Sequence, residues 1–218
     1  MSQRILVWDV PTRVFHWLLA LSFTGAYLNA ESELDRDIHV VLGYTLLGLL
    51  AFRLLWGFFG TRYARFRSFL FKPGEIVAYS LSMLKGKPLH YVGHNPAGSV
   101  AVWLLLGLGI LCGVSGVMSF QDIGGDAMKD MNDFVSDVML VVVLIHIAGV
   151  VVSSVLHREN LVRSMITGFK SAEPDEGIRR SYPWLGIIIL AVVVAFWVDY
   201  PATGIFKPSA DPVRQTAR

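Results

Sequence analysis

The sequence has few charged residues and a single cysteine. Only 17% of its 218 residues are Asp, Glu, Lys or Arg, whereas 54% are hydrophobic, and the mean hydropathy is +0.53. This composition excludes an ordinary soluble domain and predicts an integral membrane protein. Cys112 can form no disulfide within the chain, and its apolar surroundings predict a small core residue. The N-terminus shows no apolar run that ends in small residues, so we expect no cleaved signal peptide.

Five apolar stretches are long enough to cross a bilayer, for which a helix needs about 20 residues. They are residues 14–30, 38–60, 96–121, 138–156 and 181–198. We therefore predict an all-α integral membrane fold, with a four-helix up-and-down bundle and a fifth transmembrane helix. Residues 1–170 would form the bundle domain, and residues 171–218 would form a linker, the fifth helix and a short tail.

Charge is distributed unevenly over the connections between these stretches. Segment 61–95 carries six cations against one acid, whereas segments 31–37 and 121–137 are rich in acids. By the positive-inside rule, segment 61–95 and the N-terminus are cytoplasmic and the C-terminal tail lies outside. Residues 73–87 within the basic segment could form a short helix that lies on the inner leaflet, and the alternative is an ordinary amphipathic connector. Five aromatic residues near the ends of the stretches are predicted to be interfacial anchors: Trp8, Trp56, Tyr63, Trp184 and Tyr200.

Four of the six histidines lie in the apolar stretches or at their ends. His146 and His157 are eleven residues apart. Eleven steps of about 100° place both on one helix face, roughly 16 Å apart. Ionisable residues inside a membrane are costly and usually functional, and imidazole is a common axial ligand of haem iron. With His16 and His39 in the first two stretches, the pattern predicts two sites that each hold haem iron between two histidines.

Depth in the membrane suggests how the four ligands pair. His16 and His157 both lie near cytoplasmic ends and would bind an inner haem, which leaves His39 and His146 for an outer haem. The outer pair differs by about 10 Å in depth, so it requires a tilted or protruding helix. Two imidazoles saturate the iron, which favours one-electron transfer over substrate chemistry.

Two further residues are candidates to contact the haems. Arg53 follows His39 by fourteen residues on about the same helix face and could bind a haem propionate; the alternative is that it snorkels to the headgroups. His94, just before the third stretch, is a candidate contact for an inner propionate or a quinone headgroup. His90, in the same connection, is predicted to be a solvated loop residue.

These motifs together resemble the bacterial cytochrome b561 family, including its branch of b-type cytochrome subunits of nickel–iron hydrogenases. The matching pieces are VWDVPTRVFHW at 7–17, HVVLGY at 39–44, RLLWG at 53–57, GHNPAG at 93–98, HREN at 157–160 and MITG at 165–168. The resemblance implies two b haems bound through His16, His39, His146 and His157, electron exchange with quinone, and location in the bacterial inner membrane. It also implies a redox partner, either a hydrogenase or a cytochrome c on the periplasmic side.

The main hypothesis is therefore a di-haem b-type cytochrome that carries electrons across the inner membrane between the quinone pool and a partner on the periplasmic side, as a monomer or a homodimer. The acidic outer connections would suit a basic cytochrome c. One alternative is a stand-alone superoxide:quinone oxidoreductase. A rival from another class is a metal- or proton-handling transporter, which would predict acids beside the intramembrane histidines; the five stretches contain none. The third hypothesis is a structural anchor subunit whose histidines have only packing roles.

Overall fold

The computed structural model describes residues 3–30, 36–87 and 89–203, which are mainly helical. The helices are α1 (Val10–Leu28), α2 (Arg36–Phe59), α3 (Pro73–Leu84), α4 (Pro96–Phe120), α5 (Asp126–Leu156), α6 (Leu161–Thr167) and α7 (Pro183–Thr203), and two strands are β1 (Gln3–Leu6) and β2 (Phe169–Ala172). Short 3₁₀ turns lie at Phe66–Phe69 and Pro174–Glu176. The acidic residues Glu31, Glu33 and Asp35, which contribute to the predicted orientation, and the tail 204–218 lie outside the described residues.

Within the described ranges, four helices are long and apolar enough to cross a membrane: α2, α4, α5 and α7. The predicted all-α multi-pass membrane fold is thereby confirmed. α1 has 19 residues and includes Arg13 and His16 among its apolar residues. It is not among the four, so its role as a further span stays a prediction. α5 has 31 residues, so the predicted stretch 138–156 forms only its second part.

Local sequence signals explain where the main helices begin. Asp9 caps α1 by accepting the Thr12 backbone N–H at 2.7 Å, and Asn95 caps α4 by accepting the Gly98 N–H at 2.6 Å. Both caps are followed within two residues by proline, which has no backbone N–H to leave unpaired in the first turn. α3 confirms the short helix predicted in the basic segment.

The long helices pack in an open arrangement. α1 packs against α2 and α7, α2 packs against α4, and α4 packs against α5. The backbones of α1 and α5 have no comparable contact, and apolar side chains bridge the space between them. That buried cluster contains Phe23 of α1, Leu46 and Leu50 of α2, Leu106 of α4 and Met139 of α5. The interior between α1 and α5 is thus enclosed by side chains and not by close helix contact.

A two-stranded sheet, which the sequence analysis did not predict, lies at one end of the bundle. β1 and β2 pair antiparallel, with Gln3 opposite Ala172 and Leu6 opposite Phe169. The Gly168 carbonyl accepts the backbone N–H groups of both Val7 and Trp8, at 2.8 and 3.0 Å. The sheet therefore joins the start of α1 to the segment that follows α5 and α6. We call this the β1–β2 end.

Candidate functional site

A seven-residue spacing relates interior side chains on three helices. Seven residues turn a helix to within about 20° of its starting face and advance it by about 10 Å. Phe23 of α1, Leu46 of α2 and Met139 of α5 belong to one buried cluster, so they mark a common level of the bundle.

One seven-residue step from this level toward the β1–β2 end reaches a polar level. The step leads from Phe23 to His16, from Leu46 to Arg53 and from Met139 to His146. Because each step returns to nearly the same helix face, these three side chains face the same interior as the apolar cluster.

His16 and His146 lie together at this polar level. The two rings are close enough to interact electrostatically, although they are on helices that do not pack against each other. The His16 ring packs edge-on against Trp17, with 5.1 Å between centroids. Its Nδ1 atom is buried and has no hydrogen-bond partner among the described residues. One ring nitrogen of His16 is therefore free of hydrogen bonds to the described residues, close to the electrostatic neighbour His146.

His94 lies beside the same pair. Its ring centroid is 4.6 Å from that of Phe69 and 4.8 Å from that of Trp8. Burial, followed by the positive charge of Arg53, lowers the pKa of His94 to about 3, so the ring is neutral at physiological pH. His16 and His146 are also among its electrostatic neighbours, and its buried Nδ1 has no partner in the described chain.

Arg53 is a buried cation. Only 4% of it is exposed, and its guanidinium lies over the rings of Phe66 and Phe69 at 5.1 and 5.6 Å. This burial excludes the alternative in which Arg53 snorkels to the headgroups. Its Nη1 atom is buried without a hydrogen-bond partner in the described part of the chain. A buried guanidinium that is incompletely paired costs folding free energy, so we expect an anionic group to bind Arg53 at this site.

Asp9 is a site residue that the sequence analysis missed. Its carboxylate is 1% exposed and accepts hydrogen bonds from the Thr12 backbone, from the Trp56 indole at 3.1 Å and from the Thr61 hydroxyl. It therefore joins the start of α1 to the end of α2 and the turn beyond, and it is also an electrostatic neighbour of Arg53. The Asp9–Pro11 pattern, typical of a helix N-terminus, was the available signal.

The prediction of interfacial anchors is wrong for Trp8, Tyr63 and Tyr200. They are only 6%, 8% and 1% exposed, because Trp8 packs against His94, Tyr63 donates its hydroxyl to the Glu176 carbonyl and Tyr200 packs against Phe196. Trp184, at 58% exposed, has the exposure expected of an anchor.

His157 does not share the interior of His146. α5 ends at Leu156, and the His157 ring turns back so that Nδ1 lies 2.9 Å from the Ser153 carbonyl and Nε2 lies 3.3 Å from the Leu89 carbonyl. His16 thus lies near His146, whereas both ring nitrogens of His157 lie near backbone carbonyls; the predicted pairing of His16 with His157 stays a prediction. His90 is exposed, as expected of a loop residue, with its ring 5.9 Å from that of His157.

His39 lies toward the other end of the bundle. Its Nδ1 is 2.8 Å from the Ala26 carbonyl of α1, next to Tyr27, whose hydroxyl donates to Asp137 at 2.9 Å. Asp137 precedes His146 by nine residues, about 14 Å along α5. His39 and His146 therefore lie at different depths in the described structure, and their predicted pairing stays a prediction.

The group at the β1–β2 end fits a haem. His16 and His146 come from two helices whose backbones make no close contact, as two axial ligands of one iron require. The unpartnered nitrogens of Arg53 and His94 would suit propionates, and the rings of Trp8, Phe66 and Phe69 supply apolar walls.

Comparison with known proteins identifies the family of this chain. The family model described as "Prokaryotic cytochrome b561" matches residues 7–168. The chain is 26% identical over 219 residues to the "Probable Ni/Fe-hydrogenase B-type cytochrome subunit" of Rhizobium leguminosarum bv. viciae, which covers 78% of this chain and 92% of that protein. The protein of the same name from Azotobacter vinelandii is 25% identical over 222 residues, covering 78% and 91%. No solved structure matches.

Proposed function

Because the chain belongs to the prokaryotic cytochrome b561 family, and is thus a membrane-bound b-type cytochrome of electron transfer, we propose that His16 and His146 are the axial ligands of its haem. The observation that carries this proposal is the convergence of these two histidines with the unpartnered nitrogens of Arg53 and His94. No other part of the described chain brings two intramembrane imidazoles together in this way.

The remaining residues of the site would hold and tune the haem. A haem with two imidazole ligands supplies a one-electron redox couple and leaves no coordination position open. Arg53 would bind a propionate, which satisfies its buried guanidinium. Neutral His94 would donate a hydrogen bond to a propionate and pack its ring against Trp8 and Phe69. Asp9 would position Arg53 through the α1–α2 contact that it makes.

The proposed location is the bacterial inner membrane, with the β1–β2 end in the cytoplasm. The connection between α2 and α4, at this end, carries six cations, namely Arg62, Arg65, Arg67, Lys72, Lys85 and Lys87. The opposite connection, between α4 and α5, carries mainly acids. This asymmetry supports the orientation by the positive-inside rule.

The proposed reaction is electron exchange between the quinone pool and a redox protein. Hydrogenase is the first candidate partner because the relatives are described as hydrogenase cytochrome subunits. A periplasmic cytochrome c is the second, because acids dominate the connection between α4 and α5. The quinone assignment rests on the family resemblance.

The test is a reduced-minus-oxidised optical spectrum of the detergent-purified chain, with haem quantified per polypeptide. We expect a low-spin b-type spectrum that is lost in both His16→Ala and His146→Ala. His90→Ala, in an exposed loop position, is the matched control and should keep the wild-type spectrum. A colourless wild-type protein, or a His146→Ala variant with the full spectrum, would refute the proposed ligands. Reduction of the haem by added quinol then tests the quinone assignment.

A further inference from the structure

The end of the bundle that holds His39 differs from the β1–β2 end in the ligands it can offer. The sequence contains six histidines, and all six lie within the described residues. His16, His94 and His146 form the polar group described above, and His90 and His157 lie against each other at the same end. His39 is therefore the one imidazole at the opposite end.

The seven-residue spacing identifies what faces His39. From the level of Leu46 and Met139, one step away from the β1–β2 end leads to His39 on α2 and to Asn132 on α5. Each step keeps nearly the same helix face, so both positions lie on the helix faces that line the common interior. Asn132 thus occupies the α5 position at the level of His39, where an imidazole would be needed to complete a pair.

Asn132 is a poor substitute for a histidine ligand. Haem iron is held in proteins by His, Cys, Met or Tyr side chains, and an amide is not among them. The Asn132 amide nitrogen is also already engaged, because it donates to the Cys112 carbonyl at 2.8 Å and to the Ser115 hydroxyl at 3.2 Å. Cys112 itself lies between α4 and α5, with its Sγ 3.1 Å from the Ser136 hydroxyl.

We propose that this chain binds one haem, at the β1–β2 end, and that Asn132 is the residue that denies it a second bis-histidine site beside His39. This inference rests on the proposed function, because it takes the His16–His146 haem as given. It replaces the prediction of two haems, and it makes the two ends of the bundle unequal in function.

The first test is the haem-to-polypeptide ratio of the intact purified chain, combined with a potentiometric titration. We expect one haem per chain and a single one-electron transition. Two haems per chain would overturn the inference and leave the proposed function standing. A ratio of zero would instead refute the proposed function, so the two failures are distinguishable.

The second test uses variants at the opposite end. His39→Ala should retain one haem and the wild-type spectrum, and loss of haem from a folded His39→Ala protein would contradict the inference. Asn132→His should raise the ratio toward two, because it supplies the missing imidazole. The double variant with His39→Ala should return the ratio to one, and Asn132→Ala is the packing control that should stay at one. A folded Asn132→His protein with an unchanged ratio would overturn the role assigned to Asn132.

Discussion

Replacing Asp9 tests whether a single buried carboxylate holds the β1–β2 end of the bundle together. Asp9→Ala removes the N-cap of α1, which costs about 1 kcal/mol. It also leaves the Trp56 indole N–H and the Thr61 hydroxyl without their acceptor, at about 1 to 3 kcal/mol for each buried group. Relief of carboxylate desolvation offsets part of this loss. Taking the lower values and this offset together, we expect the free energy of unfolding to fall by about 2 kcal/mol.

The assay is unfolding in mixed micelles with increasing denaturing detergent, followed by tryptophan fluorescence. Asp9→Asn keeps an oxygen for the Thr12 backbone N–H, so it should be destabilised by less than Asp9→Ala. The matched control is Asp130→Ala, at an exposed position in the first part of α5, which should change stability by less than about 0.5 kcal/mol. An Asp9→Ala protein as stable as the control would refute the reasoning.

Two further variants probe the surroundings of Arg53. Gly57→Ala should destabilise the protein by about 1 to 3 kcal/mol, because its new Cβ would overlap the Phe66 ring. The control is Gly48→Ala, which has open space at its Cβ and should be neutral or stabilising in the same unfolding assay. Arg53→Gln should lower the midpoint potential of the haem, because loss of a nearby positive charge favours the oxidised iron. The control is Arg67→Gln, at an exposed position. Equal midpoint potentials in the two variants would contradict a direct role for Arg53.

Composition and local signals were sufficient to predict most of the helices. Long uncharged runs indicated the transmembrane helices, and the Asn95–Pro96 pair marked the first residue of α4. The β1–β2 sheet could not be predicted in this way, because its four-residue strands are separated by more than 160 residues and form through tertiary contact. The burial of Trp8 depends on the same tertiary contact. It could not be predicted either, because an aromatic residue near the end of a span is equally suited to the membrane interface and to a small core.

Helical periodicity could not show which second position of α5 lines the interior together with His146. His157 and Asn132 both lie near the helix face of His146. The eleven residues to His157 and the fourteen to Asn132 each return to within about 40° of that face. What decides between these positions is where α5 ends and which groups the side chains bind. α5 ends at Leu156, so His157 binds backbone carbonyls. The sequence carries no helix-terminating glycine or proline at this point that could have shown it.

The proposed single haem at the β1–β2 end would restrict where electrons can enter and leave. The level of His39 and Asn132 lies two seven-residue steps away, or about 21 Å along the bundle. Phe23, Leu46 and Met139 fill the level between them and carry no redox group. Because electron transfer slows steeply with distance, a periplasmic partner that docks on the acidic connection would need a redox centre of its own that reaches into this half of the bundle. A carrier that reaches the haem from the β1–β2 end needs none, which favours that end for quinone exchange.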